Sequence, residues 1–174
     1  MSGHRLSFTY LSQEDLLQAG SLDIRMAMEV AEKAMLAFEA HSILFPEKIV
    51  QIFDQASQER INCLPATLLD EQVCGVKWVS VFPANPVRYG VQNLSAILIL
   101  SEIEKGFPIA VMDGTLASNM RVAAMGAIAA KHLARRNSEV IGFIGAGEQA
   151  KMHLLSMKVV RPELKECRVA ARTA

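Results

Sequence analysis

The sequence predicts an α/β protein in two parts, a strand-rich α+β part followed by a part in which strand and helix alternate. Three observations predict it. Apolar, β-branched runs recur between residues 49 and 112, separated by polar or proline-bearing turns. An alanine-rich stretch, 116–136, then carries no glycine–proline punctuation strong enough to break a long helix. Residues 138–174 read strand, glycine turn, helix, strand.

Composition narrows the classes. The chain has 174 residues, 51% hydrophobic and 21% charged, as a globular protein with a sizeable core requires. Eighteen basic residues balance eighteen acidic ones, and no basic block stands out, so no field favours nucleic acid or an anionic membrane surface. Cys63, Cys74 and Cys167 are odd in number, far apart and not spaced as metal ligands with the four histidines, so neither a disulfide framework nor a metal site is expected. They read as buried or inert thiols in a reducing cytoplasm. Neither a signal pattern at Met1–Tyr10 nor an uninterrupted membrane-length apolar run is present in the sequence, which points to the cytoplasm.

In chain order, 6–10 is a short β-prone run and Ser12-Gln-Glu-Asp15 a helix start. Ile24, Met28, Ala31, Met35 and Phe38 recur at spacings of four and three, predicting an amphipathic helix over 21–41 that Pro46 keeps from extending. Strands are expected at 49–53 and 59–65 around a polar turn, then at 73–82, where valines and an aromatic dominate. Two prolines make 83–86 a loop. Strands at 94–100 and 107–112 flank a turn at 102–106 and form a hairpin. Asp113-Gly-Thr115 opens the 116–136 helix, whose last turn holds Lys131, His132, Arg135 and Arg136, cations suited to the negative end of a helix dipole. A strand at 139–144, a turn at Gly145-Ala-Gly147, a helix at 148–159 and a strand at 164–170 follow.

Within that last part, Ile141-Gly-Phe-Ile-Gly145-Ala-Gly147-Glu-Gln-Ala150 carries the strongest chemistry. A strand runs through G-x-G-x-x-A into a helix. Gly145 can take the sharp turn, Gly147 lacks the Cβ that would bar a pyrophosphate, and Ala150 lets the helix pack close to the strand. The helix start then offers amide hydrogens and a positive dipole end to phosphates. A glycine pattern alone also fits a tight turn with no ligand; here the strand before, the helix after and a second strand about 25 residues on favour the start of a Rossmann dinucleotide-binding domain. The second strand ends Val169-Ala-Ala171-Arg172-Thr173 with no acid for a ribose 2′-hydroxyl. Arg172 could instead pair with a 2′-phosphate, favouring NADP over NAD, or be a solvated loop residue.

Two cations stand alone in apolar sequence. Lys77 is the one charged residue between Val73 and Val87, and Arg121 the one between Leu116 and Ala130. A charge in such surroundings is costly unless paired or facing a cavity, although a lysine on an edge strand can snorkel and an arginine can sit in a structural ion pair. Both suit an anionic ligand group, the guanidinium in bidentate fashion.

These residues fall in a familiar order: Gly75-Val-Lys77-Trp-Val-Ser-Val-Phe-Pro83-Ala-Asn85-Pro86, Asp113-Gly-Thr115 with Arg121-Val-Ala-Ala124, Ala129-Ala-Lys131-His-Leu-Ala-Arg135, and Gly145-Ala-Gly147-Glu-Gln149-Ala150. Over essentially the whole chain they resemble the ornithine cyclodeaminase/mu-crystallin family. That resemblance implies a substrate-binding and dimerisation domain at 1–115, a connecting helix at 116–137, and at 138–174 the N-terminal part of a Rossmann domain. It implies an NAD- or NADP-dependent oxidoreductase or cyclodeaminase in amino-acid metabolism, acting by hydride transfer at the α-carbon of a small amino acid through an imine, in a homodimer.

By residue, the resemblance gives Lys77 the substrate carboxylate at the catalytic centre and Arg121 a contact to both substrate and cofactor. The family arginine that follows a proline is matched by Lys48, which lacks the bidentate fork. A family threonine at the cofactor is matched by Asn93 in Gly90-Val-Gln-Asn93, without the family proline. Gly145, Gly147, Glu148 and Gln149 fall on the cofactor contacts, and Arg172 and Thr173 on the ribose end. The departures, with 107–112, lean toward the siderophore-type N-(2-amino-2-carboxyethyl)-glutamate dehydrogenases.

A complete Rossmann domain needs strands and helices beyond Ala174, and the family's catalytic aspartate lies there too. The chain therefore reads as a fragment or a naturally truncated protein, not expected to complete catalysis as it stands, with an exposed second strand open to aggregation. A non-catalytic NADPH- and ligand-binding protein and a dimerisation module that binds no nucleotide stand as alternatives.

Overall fold

A computed structural model describes residues 6–172. The chain forms two compact units, 1–21 with 37–116, and 22–36 with 117–174.

The first unit is built on one seven-stranded sheet. Its strands are β1 (Thr9–Leu11), β2 (Ile43–Leu44), β3 (Ile49–Asp54), β4 (Glu59–Leu68), β5 (Val73–Val81), β6 (Leu94–Glu102) and β7 (Pro108–Asp113). They are ordered β1-β7-β6-β5-β4-β2, with β3 also on β4. All pairs are antiparallel except β1 with β7. The centre of the sheet is the valine-rich β5, read correctly from its composition. Gly75 fits closely there: a Cβ would come within 2.9 Å of the Leu100 Cδ2 methyl and 3.1 Å of the Ile99 carbonyl oxygen, so the neighbours would have to shift. Between β1 and β2, α1 (Gln13–Gln18) begins with a reciprocal capping box in which Ser12 and Asp15 satisfy each other's amides.

Residues 83–86 are not all loop, as the two prolines suggested. A one-turn helix, α3 (Asn85–Tyr89), takes Pro86 in its first turn, where a missing amide hydrogen costs nothing, and ends at Gly90 with φ 66°. The two-residue β2, pairing with Leu68 and Thr67, has no counterpart in the sequence pattern because it is too short to show a period.

The turn into the long helix is held by local chemistry. Asp113 Oδ1 accepts from the Thr115 and Leu116 amides at 3.0 and 3.2 Å. The buried Thr115 hydroxyl accepts from the Ala96 amide at 3.0 Å, and the Gly114 amide donates to the Ala96 carbonyl at 2.8 Å. A Cβ on Gly114 would sit 3.1 Å from Ala96 and Leu98, so glycine lets this corner close on β6.

The second unit contains most of α2 (Ile24–Glu39) and of α4 (Thr115–Leu133), then β8 (Val140–Ile144), α5 (Glu148–Val160) and β9 (Glu166–Ala170). Met28 of α2 packs on Ala124 and Ala127 of α4, with Ala27, Ala31, Val159 and Val160 around them. That apolar contact groups residues 22–36 with the second unit. Glu32 accepts hydrogen bonds from Lys131 Nζ at 3.0 Å and lies 3.3 Å from His132 Nε2, and both hold its carboxyl below the usual carboxylate range.

Alanines on α4 let a second helix approach closely. Ala123, Ala124 and Ala127 are fully buried, and the Ser156 hydroxyl of α5 lies 3.0 Å from the carbonyl oxygens of Ala123 and His153. The end of α4 is capped from α5: the buried Arg161 guanidinium donates to the carbonyls of Ala130, Ala134 and Arg135. Ala134 and Arg135 lie just past the last residue of α4, where carbonyls lack helical partners, and the Ala130 carbonyl also accepts from the Ala134 amide at 3.1 Å. Strands β8 and β9 pair in parallel from Val140–Glu166 to Ile144–Ala170. Every residue of β9 is exposed, as is all of Ile144. Among the described residues no helix is long and apolar enough to cross a membrane.

Candidate functional site

In the second unit the glycine turn has the local geometry its sequence predicts. Gly145 adopts φ +105°, a conformation that residues with a Cβ rarely take, and its amide donates to the Ala170 carbonyl at 2.8 Å, extending the β8–β9 ladder into the turn. Gly147 is the N-cap of α5, with extended φ −79° and ψ −175°. Unlike a serine or aspartate cap, it offers no side chain to the first-turn amides. A Cβ built on Gly145 or Gly147 meets nothing within 4 Å. At Gly147 neither backbone nor packing demands glycine, whereas a phosphate seated at the helix start does. The turn therefore fits a dinucleotide.

Around it, Glu148 is exposed and paired with Lys151 at 2.7 Å. Gln149 turns toward α4, where its Nε2 donates to Asn119 Oδ1 at 2.8 Å. Arg172 is exposed just past β9; Arg168, on that strand, is instead engaged by Glu166 at 2.7 Å. Thr173 lies outside the described residues. Arg121 is exposed on α4 rather than enclosed in apolar surroundings. The helix buries its alanine side against α2 and α5, and Arg121 falls off that side.

In the first unit the register sets Lys77 opposite Leu64 on β4 and Leu98 on β6. The lysine is half-buried on the sheet face that also carries the buried Val79 and Ala96. Two pairs along, Asn62 lies opposite Val79 and so shares that face. Its Oδ1 is buried without a hydrogen-bond partner among the described residues. A buried orphan acceptor is costly, and it marks a place where a ligand or water donor fits. Lys48 is exposed immediately before β3, whose first pair, Ile49–Cys63, adjoins the Leu64–Lys77 pair. Asn93 is exposed, and its carbonyl accepts from the Phe82 amide at 2.8 Å.

So the register brings Lys77 beside an unsatisfied amide, and the glycine turn gathers Gly145, Gly147, Glu148 and Gln149. The sequence reading did not single out Asn62 or Asn119. Each is an amide beside apolar residues, Cys63-Leu64 after Asn62 and Met120 after Asn119, a weak signal that polar residues nearby obscure.

Comparison with known proteins agrees with this geometry. Alanine dehydrogenase from Archaeoglobus fulgidus is 38% identical over 150 residues, covering 86% of this chain and 44% of that protein. N-((2S)-2-amino-2-carboxyethyl)-L-glutamate dehydrogenase from Staphylococcus aureus is 32% identical over 152 residues, covering 85% and 45%. The solved structure of Thermococcus litoralis Delta(1)-pyrroline-2-carboxylate reductase, in complex with NADH and L-proline, superposes with a TM-score of 0.87 at 29% identity, over 94% of this chain and 49% of that one. The chain thus spans about half the length of these relatives. Residues 13–174 match the profile of the ornithine cyclodeaminase/mu-crystallin family, and with the glycine turn and the Lys77 strand in place, the chain belongs to that family.

Proposed function

We propose that this chain forms the substrate-binding part and the first nucleotide-binding segment of an NAD(P)-dependent enzyme acting on a small amino acid or its cyclic imine. The observation that carries the reading is the open space over Gly147 at the start of α5, in a chain of this family. When bound, the nicotinamide exchanges hydride with the substrate's α-carbon, interconverting amine and imine. The chain's own residues supply orientation and charge. The Lys77 ammonium binds the substrate carboxylate, and Lys48 adds a second positive charge. The Asn62 amide accepts a hydrogen bond from a substrate N–H, relieving its buried oxygen. Arg121 contacts substrate and cofactor. Gly145 and Gly147 admit the pyrophosphate, Glu148 and Gln149 flank it, and Asn93 hydrogen-bonds the cofactor.

At the ribose end, Arg172 and Thr173 favour a 2′-phosphate, hence NADP, because no acid stands in that stretch. Cyclodeamination, dehydrogenation and imine reduction share this machinery, and a cytoplasmic setting suits it. We further infer a homodimer: Trp78, Ile97 and Ile99, on the sheet face opposite Lys77, are each more than a third exposed. Sedimentation of the purified chain checks that inference, and a monomer at micromolar concentration refutes it.

The functional test is made on the intact protein. NADH and NADPH are titrated by nucleotide fluorescence, and turnover of alanine, proline, ornithine and their imines is followed by nucleotide absorbance. Lys77→Ala should keep the fold and nucleotide affinity while losing most turnover. Unchanged turnover removes Lys77 from the site, and absence of nucleotide binding by the wild type removes the reading as a whole.

A further inference from the structure

We infer that Asn119 is a positioning residue for the dinucleotide turn, acting through Gln149; this rests on the reading above that the turn holds a dinucleotide. Gln149 is the second residue of α5, two positions after the Gly147 cap. Its side chain does not extend into solvent at the helix start. It reaches α4, where Nε2 donates to Asn119 Oδ1 at 2.8 Å, across 30 residues of sequence. The other end of the amide, Oε1, is buried without a hydrogen-bond partner among the described residues. Asn119 is thus the polar anchor of a part-buried amide in the first turn of α5.

The anchor continues a line of close contacts. Asn119, Ala123 and Gly126 recur on α4 at spacings of four and three, and Gln149, His153 and Ser156 do so on α5. His153 Nδ1 lies 2.7 Å from the Gln149 carbonyl oxygen, so that nitrogen carries the proton and donates. The same ring presses on Gly126, where a Cβ would come within 2.9 Å of its Cδ2. Ser156 reaches the Ala123 carbonyl. Of these contacts, Asn119–Gln149 is the one at the turn.

Without the Asn119 oxygen, both ends of the Gln149 amide lack partners. Desolvation then drives the amide outward, to the helix start, into the space over Gly147 where phosphates would sit. Asn119 therefore keeps Gln149 clear of the ligand and holds the first turn of α5 in place. Position 119 acts on the dinucleotide only through where it holds Gln149.

The test is a double-mutant cycle on the intact protein with NADH as probe, read by nucleotide fluorescence beside thermal unfolding. Asn119→Leu should raise the NADH dissociation constant by about three- to tenfold, the scale of one neutral hydrogen bond lost. In a Gln149→Leu background the same change should add less than about twofold, since the residue it acts through is gone. Losses that add, an Asn119→Leu protein that binds NADH as tightly as wild type, or a lowered Tm with an unmoved dissociation constant each overturn the positioning role. Wild-type protein that binds no NADH overturns the functional reading itself. Should Asn119→Leu fail to fold, Asn119→Ser removes the acceptor's reach with less bulk and is read the same way.

Discussion

Replacing Gly147 with serine should stabilise the ligand-free protein and weaken its hold on dinucleotide. The two effects have separate causes in the structure. Gly147 sits at φ −79° and ψ −175°, a conformation serine adopts freely, and the new Cβ meets nothing within 4 Å. Removing glycine's freedom in the unfolded chain contributes about 0.4–1 kcal/mol. The hydroxyl then caps the first-turn amides that glycine leaves to other partners, for a further few tenths. A gain of about 1 kcal/mol in a chain of this size raises Tm by roughly 2–4 °C. The same hydroxyl occupies the amides a pyrophosphate needs. Each amide–phosphate hydrogen bond to a charged group is worth about 1.5–3 kcal/mol. Affinity for NADH should therefore fall by at least about tenfold. Differential scanning calorimetry and nucleotide fluorescence on the same preparation read both numbers. A stabilised variant that binds NADH like the wild type refutes the assignment of Gly147 to phosphate, and a destabilised one refutes the cap geometry.

Three further outcomes follow from the same structure. Gly145→Ala, also in open space but at φ +105°, should cost about 1–2 kcal/mol in chemical denaturation, and equal stability would contradict that backbone conformation. Arg161→Leu removes donors to carbonyls at and just past the end of α4 and should destabilise by about 2–4 kcal/mol in urea unfolding, moderated because Ala134 and Arg135 are exposed and the Ala130 carbonyl keeps the Ala134 amide. Glu32 has a carboxyl held below its ordinary range by Lys131 and His132, so its share of stability is present above the unfolded-state value and lost as pH falls through the depressed folded one. Glu32→Gln should flatten the acid limb of a stability-against-pH curve, and an unchanged limb would show that the contact carries no linkage.

Much of this was legible because local chemistry and tertiary structure agree. The β-branched 73–81 segment is the centre of a sheet, Ser12–Asp15 is a capping box, and Gly145 and Gly147 differ in backbone conformation as their two roles require. Where the reading failed, the cause was usually non-local. Pro86 stands inside α3 because the first helical turn tolerates proline. Arg121 looked enclosed because the helix around it is uncharged and alanine-rich, yet Ala123, Ala124 and Ala127 bury one side of α4 and leave the arginine on another. The parallel pairing of β1 with β7 joins segments about a hundred residues apart, which no period reveals. Nor does any spacing announce that Asn62 lies two pairs from Lys77 on the same face, or that Asn119 meets Gln149; register and helix packing create those arrangements.

The most direct measurement is a ¹H–¹⁵N correlation spectrum of the labelled protein titrated with NADH. Saturable shifts should concentrate at the amides of Gly145, Gly147, Glu148 and Gln149, with the Gln149 side-chain amide moving alongside them. Saturation that leaves these signals unmoved while others shift would place the nucleotide elsewhere and contradict the account.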